Sequence, residues 1–200
     1  MSTCTSITAG IARNCDDKMV TGLQDEVILI NLDDIDKASS AFDATNDMTI
    51  TSIVLKTTSP AAAGYKIEGI NFSNEHNTAL VKRRFINGWD HNLMFRVFDN
   101  TPAVKKFVKE AVDSRFVAII KNRYNNRNAS SDAGVTVYEV LGWEYGLEIT
   151  EATRDVMDEE SLGAWVLQAA CDDTVKEPQA PFTFWDTDES TTETAFQAFV

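Results

Sequence analysis

Val135–Ile149, VTVYEVLGWEYGLEI, constrains the chain more than any other stretch. Its first half alternates, with Val135, Val137 and Glu139 on one face and Thr136, Tyr138 and Val140 on the other. It then meets Gly142, passes through Trp143, Glu144 and Tyr145, turns at Gly146 and resumes apolar at Leu147 and Ile149. A period of two followed by glycine punctuation marks a strand that runs into a turn or bulge, not a helix.

The same period recurs along most of the chain. Glu26–Leu32, EVILINL, is a continuous apolar run and predicts a strand buried on both faces. Asp47–Leu55, Gly64–Phe72 (with a bulge near Gly69), Thr78–Ile86, Trp89–Phe98, Arg115–Lys121, Ala164–Cys171 and Pro181–Trp185 read as further strands. Asn87-Gly88 is the strongest hairpin signal and joins Thr78–Ile86 to Trp89–Phe98. The strand at 135–141 is expected to pair with 115–121 or its neighbour. Residues 122–134 read as a long exposed loop, and Glu151–Ser161 as an acidic link.

One segment changes period. Thr101-Pro102 pairs a helix cap with proline at the first helical position. Val104, Phe107, Val108, Ala111 and Val112 then share one face, opposite Lys105, Lys106, Lys109, Glu110 and Asp113. The tail, Ser190–Val200, reads either as a short helix capped by a serine or threonine with Glu193 behind it, or as an extended segment. Strands without any βαβ repetition predict a mainly β fold, an antiparallel sandwich or barrel with one amphipathic helix at about 102–114. Residues 1–25 read as a polar arm and 26–200 as a single β-rich domain.

Charge narrows the function classes. The formal net charge is −13 and unevenly placed: residues 81–128 hold 11 basic and 4 acidic side chains, residues 129–200 hold 2 and 16. Such a chain is poorly suited to gripping a phosphate backbone over its whole surface. Opposite signs on different regions suit either head-to-tail packing of identical subunits or simply a solvated surface. No apolar run approaches bilayer length, and the N-terminus lacks a basic segment followed by a long apolar one, so neither a membrane span nor a secretory signal is expected. Cys4, Cys15 and Cys171 form no CxxC pair. A disulfide or metal pair at Cys4 and Cys15 competes with the plainer reading of reduced thiols.

Catalytic patterns are missing. There is no nucleophile elbow, no phosphate-cradling loop and no dinucleotide glycine fingerprint, and His76 and His91 have no close ligand partner. An enzyme, a cofactor and a resident metal are not expected. Asp33, Asp34 and Asp36 lack the glycine and distal glutamate of a calcium loop, so a solvated turn is their plainer reading.

Two stretches together resemble the tail tube proteins of long-tailed bacteriophages. One is the strand leading into Leu141–Leu147, LGWEYGL; the other is Lys176–Phe199, with KEP, the proline-led PFTFW, and an acidic, Thr-rich step into a terminal segment. Thr101–Arg115, a helix leading to a strand, is placed as in that family. The resemblance covers about residues 90–200, and the N-terminal arm and Asp-rich turn depart from it. It implies a subunit of hexameric rings that stack into a hollow tube, in the tail of a virion and made in the host cytoplasm. Other tail and neck proteins would be partners, with no membrane. DNA would pass without specific binding, because an acidic lumen repels it.

The assembly contacts suggested on this reading are Asn87 and Gly88, the loop residues Arg123, Tyr124 and Arg127, the N-terminal arm, and Phe196 and Phe199. The two phenylalanines read equally as filling the subunit's own core. Two other readings stay open. One is a different virion ring component, such as a tail terminator, neck or capsid decoration protein. The other is a carbohydrate- or cation-binding sandwich using Asp33, Asp34 and Asp36 with Trp143 or Trp89 as a stacking platform. Deleting residues 1–20 is expected to weaken polymerisation and leave the monomer folded. Negative-stain imaging beside circular dichroism checks this, and normal tubes from the truncated chain would refute it.

Overall fold

The computed structural model describes residues 21–57, 61–82, 87–123 and 137–200. The apolar run at its start forms strand β1 (Leu23–Asn31), in which Val27, Ile28, Leu29 and Ile30 are all buried. The strand starts at Leu23, within the stretch expected to be an arm, because Leu23 is already core. Four short strands follow: β2 (Ala41–Phe42), β3 (Thr49–Ser52), β4 (Gly64–Glu68) and β5 (Glu75–Lys82). Then come β6 (Asn87–Val97), helix α1 (Pro102–Val112), β7 (Phe116–Asn122) and β8 (Tyr138–Leu141). The chain closes with β9 (Glu148–Thr153), β10 (Trp165–Ala170), β11 (Phe182–Phe184) and helix α2 (Glu189–Gln197).

The strands make two sheets, a seven-stranded one in the order β2-β3-β11-β8-β7-β1-β4 and a four-stranded one in the order β5-β6-β10-β9. This is the mainly β, sandwich-like fold expected; neither sheet closes into a barrel among the described residues. The inter-sheet core joins Val27, Leu29, Ala118 and Ile120 of the large sheet to Leu93, Phe95 and Leu167 of the small one. Helix α1 adds Val104, Phe107 and Val108 to it. A second core lies on the far face of the large sheet, where Ile28, Ile30, Val117 and Ile119 meet Phe184, Phe196 and Phe199. The apolar run of β1 therefore faces a core on either side, and β7 pairs with β8 as the sequence suggested.

Several expectations are corrected. The strand expected over Gly64–Phe72 ends at Glu68, and no bulge forms at Gly69; the chain turns instead, with the Ser73 amide donating to the Ile70 carbonyl. Asn87 and Gly88 do not form the hairpin turn. They pair with Lys82 and Val81 inside the β5–β6 ladder. Gly88 is needed for a close approach: a Cβ there would lie 2.6 Å from Cβ of Lys176, whose neighbour Glu177 pairs with Trp89. The acidic link is shorter than expected, since Glu148–Thr153 is strand β9, whose EITEAT sequence has too few apolar residues to announce itself. Not every pair is antiparallel, because β11 runs parallel to β3.

Helix α1 has the expected cap, with the Thr101 side chain accepting from the Val104 amide, but Val112 is exposed and the helix ends there. The tail is helical, and Asp188 caps it by accepting from the Thr191 amide at 2.7 Å. That frees Glu193 from a capping role, and it bonds Lys121 and Tyr138 on the large sheet. Phe196 and Phe199 lie in the subunit's own core, Phe196 with its ring centroid 5.2 Å from that of Tyr138 and Phe199 6.0 Å from Phe184. Phe196→Ala is expected to cost about 3–5 kcal/mol, because it empties a fully buried site that cannot collapse. Urea unfolding measures this; a loss under 1 kcal/mol would mean that α2 does not cover the sheet.

Candidate functional site

The glycine-bracketed turn after β8 is where buried polar chemistry collects. Gly142 and Gly146 take φ of 70° and 81°, and the Gly146 amide donates to the Gly142 carbonyl at 3.0 Å. A Cβ on Gly142 would sit 2.9 Å from the Leu147 amide nitrogen, so the left-handed backbone and the space both require glycine. The tip amides are held from outside: Oε2 of Glu177 accepts from the Glu144 amide at 3.0 Å and Oε1 from the Tyr145 amide at 2.8 Å. Burial pushes the Glu177 carboxyl up, against these two amides. Lys37 closes the far side, donating to the Glu144 carbonyl at 2.9 Å.

His91 holds the other end of the turn. The Gly142 amide donates to its Nδ1 at 3.1 Å, so Nε2 carries the proton and donates to the Gln179 carbonyl at 3.1 Å. Burial drives its pKa down to about 4, so the ring is neutral. Cys171 lies beside it, its Sγ accepting from the His91 amide at 3.4 Å, and burial pushes the thiol up. Cysteine, histidine and glutamate thus lie close together without forming a nucleophilic relay. Both ring nitrogens are committed to backbone groups, and a raised thiol is a poor nucleophile. The arrangement fixes a turn. The sequence placed His91 merely past a turn and gave no signal for Glu177, whose role depends on a pairing 33 residues away.

The remaining suggested residues are scattered. Arg123 lies at the end of the large sheet, its guanidinium 4.0 Å from the Phe72 ring centroid and its Nε donating to the Leu23 carbonyl. Tyr124, Arg127, Cys4, Cys15 and residues 1–20 of the arm lie outside the described residues. Asn87 is exposed, Gly88 is buried beneath Lys176, and Phe196 and Phe199 are internal. The carbohydrate-platform reading loses Trp143, which is buried against Phe42 and Phe182. Asp36 is spent on Ser39 and Ala38, and Asp34 accepts from Asn31. Among the described residues no group of three or more His, Cys, Asp or Glu could hold a metal ion. No helix among them is long and apolar enough to cross a membrane.

What is surface-exposed and built is the four-stranded sheet. Its end strands β5 and β9 each have a strand neighbour on one side only among the described residues, and they run in opposite directions. Its outward face is polar, with a shallow trough of about 360 Å³ lined by Glu75, Asn77, Asn92, Met94, Thr150 and Gln168. No family model matches the chain, and no curated protein or solved structure matches it.

The buried histidine gives the fold a pH dependence. Its pKa is lowered from 6.5 to about 4, so over that range the unfolded chain binds a proton that the folded chain refuses. Stability therefore falls as pH is lowered through this window, by about 3 kcal/mol at its lower end. Glu177, with its raised carboxyl, acts in the opposite sense, so the comparison with His91→Gln isolates the histidine. Denaturant unfolding between pH 7 and 4 is expected to show a shallower slope for the variant, and equal slopes would overturn the assignment.

Proposed function

We propose that this chain is a structural subunit that self-assembles into stacked hexameric rings, forming the tail tube of a long-tailed bacteriophage. The observation that carries the reading is the four-stranded sheet, whose end strands β5 and β9 each have one strand neighbour among the described residues and whose outer face is polar. Because β5 and β9 are antiparallel, the β5 of one copy laid against the β9 of the next continues an antiparallel ladder. Repeated around a ring, this removes every exposed edge of that sheet. The outer face would then line the channel. Glu75 and Glu151 project from it without ion-pair partners among the described residues, giving a wall over which DNA slides rather than binds. The resemblance of the Leu141–Leu147 and Lys176–Phe199 stretches to tail tube proteins supports the same conclusion. A position in the virion tail, with tail and neck proteins as neighbours, follows from it.

Purified protein is expected to form open-ended cylinders in negative stain, and particles that stop at one ring would favour a tail terminator instead. Leu80→Lys places a charge on the inner side of edge strand β5, at a residue that is now half-exposed. It is expected to raise the critical concentration for assembly at least about tenfold and leave the monomer's circular dichroism unchanged. Wild-type protein that sediments as one subunit at high concentration, with no ordered particles in any salt, would sink the proposal.

A further inference from the structure

Phe107, Glu110, Ala111 and Ser114 are spaced by three and four, so they share one side of helix α1 and the turn after it. Beneath that side lie three neighbouring strands of the large sheet. Tyr65 of β4 stands opposite Leu29 of β1, and Asn31, two residues on, stands opposite Phe116 of β7. Residues two apart on a strand share a face, so Leu29 and Asn31 look the same way. Helix and sheet do not close completely here. A cleft of about 370 Å³ remains between them. β4 ends the sheet on this side among the described residues, and Tyr65, half-exposed, stands at the opening.

The floor is apolar. Leu29, Ala111 and Phe116 are buried there, with Phe107 partly buried beside them. The size, the concave shape and an apolar lining with few polar groups are those of a small-molecule site.

The polar groups are neutral or negative. Glu110 lies at the mouth, and its one ion-pair partner among the described residues is Lys106 at 3.6 Å. Both side chains are mostly exposed, so that pair is weak and easily exchanged. The Tyr65 hydroxyl has no hydrogen-bond partner among the described residues. Asn31 spends its Nδ2 on Asp34 at 2.9 Å, which leaves its side-chain oxygen to accept. The last turn of α1 adds the negative end of the helix dipole. No residue lining the cleft is basic. Lys109, the basic residue of that last turn, lies on the other side of the helix, and Arg115 is turned to Glu148 and Asp172.

Aromatic walls and a negative mouth select by charge as well as by shape. A cation is drawn both to ring faces and to a carboxylate, whereas an anion is repelled by the same groups. We infer that this cleft binds a small organic ammonium ion, with its apolar body against Phe107, Phe116 and Tyr65 and its charged nitrogen at Glu110. The site goes beyond the assembly reading and does not depend on it, because the large sheet and α1 form the cleft and the outer face of the small sheet takes no part.

The test uses three probes with one aromatic body: phenethylammonium, the neutral phenethyl alcohol and the anionic phenylacetate. Titration calorimetry measures affinity, and amide chemical shifts locate the bound probe. Phenethylammonium is expected to bind most tightly and phenylacetate not at all, with shifts confined to α1, β1, β4 and Phe116. Glu110→Gln is expected to weaken phenethylammonium at least about fivefold and leave phenethyl alcohol unchanged. Tyr65→Leu is expected to weaken both. Glu75→Gln makes the same charge change away from the cleft and is expected to alter neither. Thermal melting shows whether each variant is folded, and if Tyr65→Leu is not, the exposed Glu110→Gln decides alone. No binding of phenethylammonium at millimolar concentration would overturn the inference. So would equal binding of phenylacetate, shifts centred elsewhere, or equal losses in Glu110→Gln and Glu75→Gln. The assembly reading would stand in each of these cases.

Discussion

The structure depends on a sheet that is apolar on both faces. In β1, β7 and β8 neighbouring residues are buried in turn, Val27 toward one core and Ile28 toward the other, then Ala118 and Ile119, then Val140 and Leu141. Such a sheet is unstable in water with either face open, so it needs two covers. The small sheet and α1 provide one, and helix α2 with Phe199 after it provides the other. Everything else is arranged around bringing those two covers into place. The small sheet is held to the large one by residues of only one face, which leaves its outer face polar.

The turn between Gly142 and Gly146 links the two layers through the same demand. It ends β8 in the large sheet and starts β9 in the small one, so the chain must reverse in little space. Its amides are then shielded from water, fully at Gly142 and in part at Glu144 and Tyr145, where unpaired donors are costly. His91 from β6 and Glu177 from the segment beside Gly88 satisfy three of them. A neutral imidazole and a desolvated carboxyl near a buried thiol look like catalytic preparation. Here their hydrogen bonds are consumed by backbone, and the perturbed groups are the consequence of closing a tight crossover.

Much of the fold was legible where residues speak for themselves. EVILINL gives a doubly buried strand, Thr101-Pro102 gives a helix start, and the paired glycines give the turn. What failed were features decided by distant partners. Asn87-Gly88 has the local signature of a reversal, yet Gly88 is there for the approach of Lys176. Glu151–Thr153 reads as the start of an acidic link, yet β10 recruits it into the sheet. Phe196 and Phe199 could not be assigned to surface or core until the uncovered face of the large sheet was known. The left-handed backbone of Phe72 and Leu162 was invisible for a related reason, since a positive φ at a bulky residue is a property of the folded backbone.

The parallel seam between β3 and β11 sets the order in which the molecule can be completed. β11 lies between β3 and β8, far along the chain from β3, and α2 follows it directly. During synthesis the first 180 residues must wait with a gap in the large sheet and the Ile28–Ile30 side bare, because the piece that fills both leaves the ribosome late. A nascent or prematurely terminated chain therefore lacks a closed second core, so the last residues made decide whether the molecule can finish folding.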